Sequence, residues 1–219
     1  RSESITKLTA VCIETGGDAC YSHRIVESKE IELIGGSESY VAASRSAYFN
    51  RPITGEIHLT LGPVKSGKTT ELARIMNRYK IAGKSCLLIR PKNIVDNTTY
   101  SETFSLRVTE TLPSIDEISQ YQIIGIDDAQ NYENLSEFAD QLANMNKLVF
   151  IAALDSNSNL DPFESIVNLF PMCEYVNKLE AVCPITGLPA HFSVFKELNL
   201  IPISRFALLN RKTNSVRVF

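Results

Sequence analysis

The stretch Glu56-Ile57-His58-Leu59-Thr60-Leu61-Gly62-Pro63-Val64-Lys65-Ser66-Gly67-Lys68-Thr69 constrains this chain more than any other. An alternating apolar run leads without a break into G-x-x-x-x-G-K-T, and Leu72, Ile75, Met76 and Tyr79 then recur at i, i+3, i+4 and i+7, with Gly83 as a stop. Strand, glycine loop and helix in that order predict a phosphate-binding loop. The two glycines let the backbone turn tightly and bring its N–H groups against phosphate oxygens. The pattern therefore assigns ATP phosphate binding to Gly62, Pro63, Val64, Lys65, Ser66, Gly67, Lys68, Thr69 and Thr70. Lys68 reaches the β and γ phosphates, Thr69 turns its hydroxyl to Mg²⁺, and the helix dipole favours the anion.

Three further apolar runs, Cys86–Ile89, Ile123–Ile126 and Leu148–Leu154, read as buried strands. Between them Ser114-Ile115-Asp116-Glu117 has the form of a capping box, and Leu135, Phe138, Ala139 and Leu142 form an apolar helical stripe. Alternating strand and helix predicts an α/β fold, a parallel mononucleotide-binding sheet with helices on both faces. Ligands of such sheets sit beyond the carboxyl ends of the strands. Asp127, Asp128 and Gln130 follow one strand there and Asp155 follows another, and Asp127 is placed to complete the Mg²⁺ shell.

Composition removes several classes. A net charge of −3 and a pI near 5.7 give no electrostatic case for coating nucleic acid or an anionic membrane. No apolar run approaches the roughly 18 residues of a membrane span, and the polar start is no secretory signal, so a cytoplasmic address is expected. Five cysteines without a close C-x-x-C pair predict reduced thiols, Cys86 acting as a small hydrophobe. His23, His58 and His191 share no metal spacing, and the acids from Glu133 to Asp140 read as a solvated helix face.

The chain also repeats itself. Glu3, Lys7, Leu8, Ala10, Val11 and Cys12 match Glu174, Lys178, Leu179, Ala181, Val182 and Cys183 in order. The phosphate loop continued through Thr70-Glu71-Leu72 resembles the G-P-M-x-S-G-K-[ST]-T-E-L of the cellular, type II thymidine kinases. Ile126-Asp127-Asp128-Ala129-Gln130 resembles that family's I-D-E-A-Q, and Ala152-Ala153-Leu154-Asp155 with Pro162-Phe163 resembles its stretch from L-D-G to P-F. The family follows its core with V-x-K-L-x-A-V-C and a zinc-bearing lasso that closes over the nucleoside. The resemblance thus divides the chain into a lasso-like β segment (1–50), a phosphate-loop core (51–175) and a second lasso-like segment (176–219). That is the tail of one repeat followed by a second repeat of a tandem protein.

The resemblance implies transfer of the ATP γ-phosphoryl group to the 5′-hydroxyl of thymidine or deoxyuridine. Lys68 and Asp128 are then the catalytic residues, Asp128 as base. Gln130, Leu154 and Phe163, with Ile34, Gly35, Gly36 and Tyr40 of the first lasso, hold the nucleoside. Val64 adds a possible wall to the pocket.

Several positions depart from the pattern. Asp128 replaces the family's glutamate with a carboxylate shorter by about 1.5 Å. Asn131 and Ser158 replace pocket aromatics, and Asn97-Thr98-Thr99 lacks the family's arginine. Of the four zinc cysteines Cys12 remains, with Thr15, Ser44 and Ala47 at the others, so no zinc is expected. The terminal copy reads as more degraded still, without an I-G-G element and ending in a strand over Ser215–Phe219. The first lasso docks either on this core or on a neighbour. A catalytically weak or inactive repeat that stabilises an active partner domain is the alternative function, and an ATPase that places water with Asp127 and Gln130 is a third. A homo-oligomer or a tandem partner domain is the expected association.

Overall fold

The computed structural model of the chain describes residues 2–27, 30–31, 33–92 and 104–215. A first small module contains β1 (Ala10–Val11), β2 (Asp18–Ala19), β3 (Tyr21–Arg24), β4 (Tyr40–Ala43) and α1 (Arg45–Tyr48). The core follows with β5 (Glu56–Leu61), α2 (Lys68–Ile81), β6 (Cys86–Pro91), β7 (Ser105–Thr109), β8 (Ile123–Ile126), α3 (Leu135–Asn144), β9 (Leu148–Ala153), α4 (Glu164–Val167) and β10 (Tyr175–Lys178). A second small module closes the chain with β11 (Ala181–Val182), β12 (Pro189–Ala190), β13 (Phe192–Lys196), β14 (Asn199–Ile203) and α5 (Arg205–Ser215).

The core sheet is six-stranded and parallel throughout, in the order β10-β5-β9-β8-β6-β7. This is the α/β fold that the strand–helix alternation predicts. Because side chains alternate along a strand, each strand feeds two faces. Ile57, Leu59, Leu61, Val149 and Ile151 pack under α3 through Leu135, Phe138, Ala139 and Leu142. Leu88, Phe150 and Ala152 pack under α2 through Leu72 and Met76. Gly125 is what allows α2 this close, since a Cβ there would lie 2.2 Å from Met76 Sδ. The helix ends as its sequence indicates, Gly83 and Lys84 donating back to the Lys80 and Tyr79 carbonyls.

Four local expectations change. Ser114 and Glu117 do form the capping contact, Ser114 Oγ donating to Glu117 Oε1 at 2.9 Å, but the turn they start is a three-residue 3₁₀ helix, Asp116–Ile118. The chain has too few residues left for an α-helix, since Gln122 already bonds to Ser85 at the start of β8. Asp140 is not a solvated acid: it accepts from Arg45 Nη1 at 2.6 Å. Ser215 ends helix α5 instead of opening a strand, because Ser204 caps that helix by accepting from Ala207 N at 3.3 Å. Val216–Phe219 lie outside the described residues, as do Asn97–Tyr100.

The terminal copy, finally, is no more degraded at the metal positions than the first. Cys183, Thr186, Ser204 and Ala207 repeat Cys12, Thr15, Ser44 and Ala47 residue for residue. Thr15 Oγ1 donates to Ser44 Oγ at 3.2 Å, and Thr186 and Ser204 share the same bond at 3.0 Å. One thiol, two hydroxyls and a methyl do not fit tetrahedral zinc at either place. All five cysteines are free thiols.

Candidate active site

The phosphate loop leaves the carboxyl end of β5 and enters α2 at Gly67, whose φ is +85°. Gly62 carries the tightest constraint, since a Cβ there would stand 2.6 Å from Ser66 Oγ and 2.7 Å from the Leu179 carbonyl oxygen. Lys68, 8% exposed, turns its ammonium onto the Pro63 carbonyl at 2.7 Å. Burial lowers its pKa, and Asp128, Asp127 and Asp155 oppose that shift. Ser66 Oγ is buried and has no hydrogen-bond partner among the described residues. An unpaired buried hydroxyl is costly, and an oxygen-rich anion in the loop would satisfy it.

Thr69, one residue into α2, donates its hydroxyl to both carboxylate oxygens of Asp127, at 3.1 and 3.0 Å. Asp127 is 2% exposed at the end of β8, and its backbone N–H is held by the Ile89 carbonyl at 2.9 Å. A hydroxyl and a carboxylate meeting beside a phosphate cradle form the hard-oxygen pair that Mg²⁺ takes, with water and phosphate filling the rest. The residues present fit that ion.

Asp128 follows with its backbone in the left-handed region at φ +46°. Such a conformation in a non-glycine residue is uncommon and collects at functional positions. Its carboxyl pKa is raised, first by burial and then by the charge of Asp127. Gln130 bridges the site, its Nε2 donating to Asp128 Oδ1 at 3.4 Å and its Oε1 accepting from Leu154 N at 2.9 Å. A cleft of about 530 Å³ opens beside Gln130, Asn131 and Phe163. The structure therefore gathers Lys68, Thr69, Asp127, Asp128, Gln130 and Leu154 at the carboxyl end of the sheet, with Phe163 on the cleft wall.

Ile34, Gly35, Gly36 and Tyr40 are not among them. Ile34 is fully exposed, Gly36 N donates to Glu38, and the Tyr40 hydroxyl donates to the Leu33 carbonyl at 2.8 Å. The first module is anchored at the amino ends of the strands, where Arg45 meets Glu174 at 2.8 Å and Asp140. It is the second module that reaches the phosphate loop, Ser193 Oγ accepting from Val64 N at 2.9 Å.

The sequence of this chain matches the thymidine kinase family over residues 1–48 and 55–203. The chain belongs to the thymidine kinase family. The thymidine kinase of Sheeppox virus is 40% identical over 145 residues, 64% of this chain and 82% of that protein. The Myxoma virus enzyme is 37% identical over 149 residues and the Monkeypox virus enzyme 40% over 147, each across 64% of this chain and 82% of its own length. Membership makes this chain one of a family of kinases, and the phosphate loop and the I-D-D-A-Q stretch meet in space as two halves of one site.

Sequence reasoning passes over three residues of that site. Arg90, next to last in β6, is buried, and its charge opposes the rise in the Asp128 pKa that burial and Asp127 cause. Its signal was available, since a cation at the carboxyl end of a parallel strand faces the ligand side. Lys178 pairs with Asp155 at 2.5 Å beneath the second module. Ser193 carries no local signal, because its value lies only in which loop it meets. No three His, Cys, Asp or Glu side chains converge on a metal position among the described residues. His58 instead pairs with Glu56 at 2.8 Å and stacks on Tyr175. No described helix is long and apolar enough to cross a membrane.

Proposed function

We propose that this chain phosphorylates the 5′-hydroxyl of thymidine or deoxyuridine with ATP. The observation that carries the reading is the Thr69–Asp127 contact with Asp128 directly beside it. Thr69 and Asp127 hold Mg²⁺, which when bound neutralises charge on the β and γ phosphates. The loop amides, Ser66 Oγ and Lys68 cradle the polyphosphate. Lys68 leaves the Pro63 carbonyl for it, a partner that restores the charge its burial disfavours. Asp128 takes the proton from the attacking hydroxyl, and its raised pKa makes it a better acceptor than an ordinary aspartate. Gln130 sets the orientation of Asp128, and the cleft at Gln130 and Phe163 takes the base.

A second reading is a nucleotide-binding repeat of low or no activity that stabilises a partner kinase domain. One observation favours it: only Glu197 and Leu198 separate β13 from β14, where the module nearest this site would have to carry a lasso. Transfer of radiolabel from γ-labelled ATP to thymidine tests both. Labelled thymidine monophosphate, lost in Lys68→Ala and reduced roughly 10²- to 10⁴-fold in Asp128→Asn, supports the kinase. ATP binding without transfer supports the silent repeat, and phosphate release without nucleoside supports a third, hydrolytic reading. Thymidine is the probe that separates them.

A further inference from the structure

The lysine of the repeated words has two different fates. Lys7 and Lys178 stand at the same place in the repeat, four after Glu3 and four after Glu174. Half-buried Lys7 donates its ammonium to the Phe170 and Pro171 carbonyls at 3.2 Å each and to the Cys173 carbonyl. Lys178 Nζ takes one carbonyl, that of Ser2 at 2.6 Å, and adds a carboxylate, Asp155 Oδ2 at 2.5 Å. The Lys178 side chain is 1% exposed and that of Asp155 17%. Carbonyls suffice to hold the repeated lysine in its first position. A desolvated ion pair adds little net stability, because taking both charges out of water costs about what their attraction returns. Asp155 calls for another reason.

Strand register places the pair at the phosphate loop. Lys178 ends β10 beside Leu61, the last residue of β5, and Ala153 ends β9 on the other side of Leu61. Gly62 opens the loop directly after Leu61, so the Lys178 side chain crosses the start of the loop to reach Asp155, two residues past β9. The Phe192 ring of the second module closes over the pair, its centroid 5.7 Å from Nζ.

Three carboxylates act on Lys68, namely Asp128, Asp127 and Asp155. A polyphosphate needs that ammonium for itself, and an unneutralised carboxylate beside the loop both holds the lysine and repels the anion. Each of the three has its own answer. Asp127 meets the Thr69 hydroxyl where the oxygen pair suits Mg²⁺, and Asp128 is left to the attacking hydroxyl. Lys178 answers Asp155.

We propose that Lys178 is a positioning residue of the phosphate site, engaged with Asp155 so that Lys68 remains available to the polyphosphate. The inference rests on the reading of the loop as an Mg·ATP site and is independent of phosphoryl transfer, so a silent repeat keeps the same arrangement. Lys7, at the amino end of β10, has no such duty.

Calorimetric titration of the 219-residue chain with Mg·ATP tests it. Lys178→Met should weaken binding about tenfold, the effect of one poorly screened charge near the anion. Adding Asp155→Asn to that variant should bring the affinity back to within roughly threefold of the parent, because the two changes are coupled. A lysine that only supports the fold predicts no such recovery, since the double variant loses both halves of the contact. Where Lys178→Met does not fold, Asp155→Asn alone decides: Lys178 then rests on the Ser2 carbonyl as Lys7 rests on its carbonyls, and Mg·ATP should bind as tightly as in the parent or more so. Unchanged affinity in Lys178→Met, a double variant as weak as the single, or weaker binding in Asp155→Asn overturns the proposal. A parent chain that takes up no Mg·ATP overturns the nucleotide reading itself, and the proposal with it. A parent that binds Mg·ATP without labelling thymidine overturns transfer only, and the variants still decide the role of Lys178.

Discussion

Residues 10–48 and 181–215 fold to one plan and differ most in one connection and in the length of the closing helix. Each has a two-residue hairpin, β1–β2 or β11–β12, a longer hairpin, β3–β4 or β13–β14, and a helix capped by serine. Each buries a thiol, Cys12 at 1% and Cys183 at 0% exposure, within the same set of threonine, serine and alanine. Residues 25–39 join β3 to β4, whereas Glu197 and Leu198 alone join β13 to β14. The module with the long connection sits at the amino ends of the strands, and the module with the short one sits at the phosphate loop. The comparison separates packing against the core from the long connection between β3 and β4. Packing against the core persists in both copies with the same thiol, hydroxyl and methyl set, while the long connection is present only in the copy away from this site.

The largest expected difference between the modules lies in their arginines. Arg45→Met takes the guanidinium from the buried Glu174 carboxylate, which keeps Ile57 N and the Tyr21 hydroxyl as side-chain partners among the described residues, and should cost roughly 3–5 kcal/mol in a urea unfolding curve. Arg205→Met removes an exposed pair and should leave the curve unchanged. Equal losses would erase the distinction. Next, replacing Glu197-Leu198 by residues 25–39 should tighten thymidine binding about tenfold, or ~1.4 kcal/mol, without altering ATP binding. Closing the longer loop opposes the gain by only about 0.6 kcal/mol per doubling of length. Calorimetric titration would show it, and unchanged thymidine affinity would mean that proximity alone does not make a lid.

A smaller effect should be equal in the two copies. A hydrogen bond from Thr15 leads in lowering the Cys12 thiol from 9.0 to about 6. At Cys183 burial pushes upward but is outweighed by bonds from Thr186 and Ser204, again reaching about 6. A folded value below the unfolded one adds stability that is full above about pH 9 and is lost as pH falls through about 6. Stability should therefore rise from pH 6 to pH 9, and Cys12→Ala and Cys183→Ala should flatten that rise by the same increment. A flattening in one variant only would show that the clusters are not equivalent. Least of all, Gly35→Val with Gly36→Val crowds Ser39 and Glu38 within the lasso and should change neither thymidine nor ATP binding by this core. Weaker thymidine binding would bring that lasso to this site after all.

Much of the core was legible because its signals are local. Strand β5 and strand β8 begin and end where the apolar runs do, and the stripe of Leu135, Phe138, Ala139 and Leu142 is buried as its period requires. The meeting of Thr69 with Asp127 was legible too, since a phosphate loop after the first strand and an acid after a later one converge in any parallel sheet of this order. What failed were judgements about surroundings. Asp140 looked solvated because periodicity sees only its own helix, and Arg45 comes from a different module. Ser215 looked like strand because β-branched neighbours outweighed a cap eleven residues earlier.

By itself, then, the sequence determined the nucleotide-binding core, the family, and the existence of two related modules, because each is written in contiguous residues whose backbone chemistry depends on near neighbours. Only the tertiary structure decided which module faces which end of the sheet, and that the repeated lysines take different partners. Those outcomes depend on contacts such as Lys7 with Cys173 and Glu3 with Arg205, whose partners lie far apart along the chain. No local preference encodes such pairings, because their energy exists only once the sheet edge that joins them has formed.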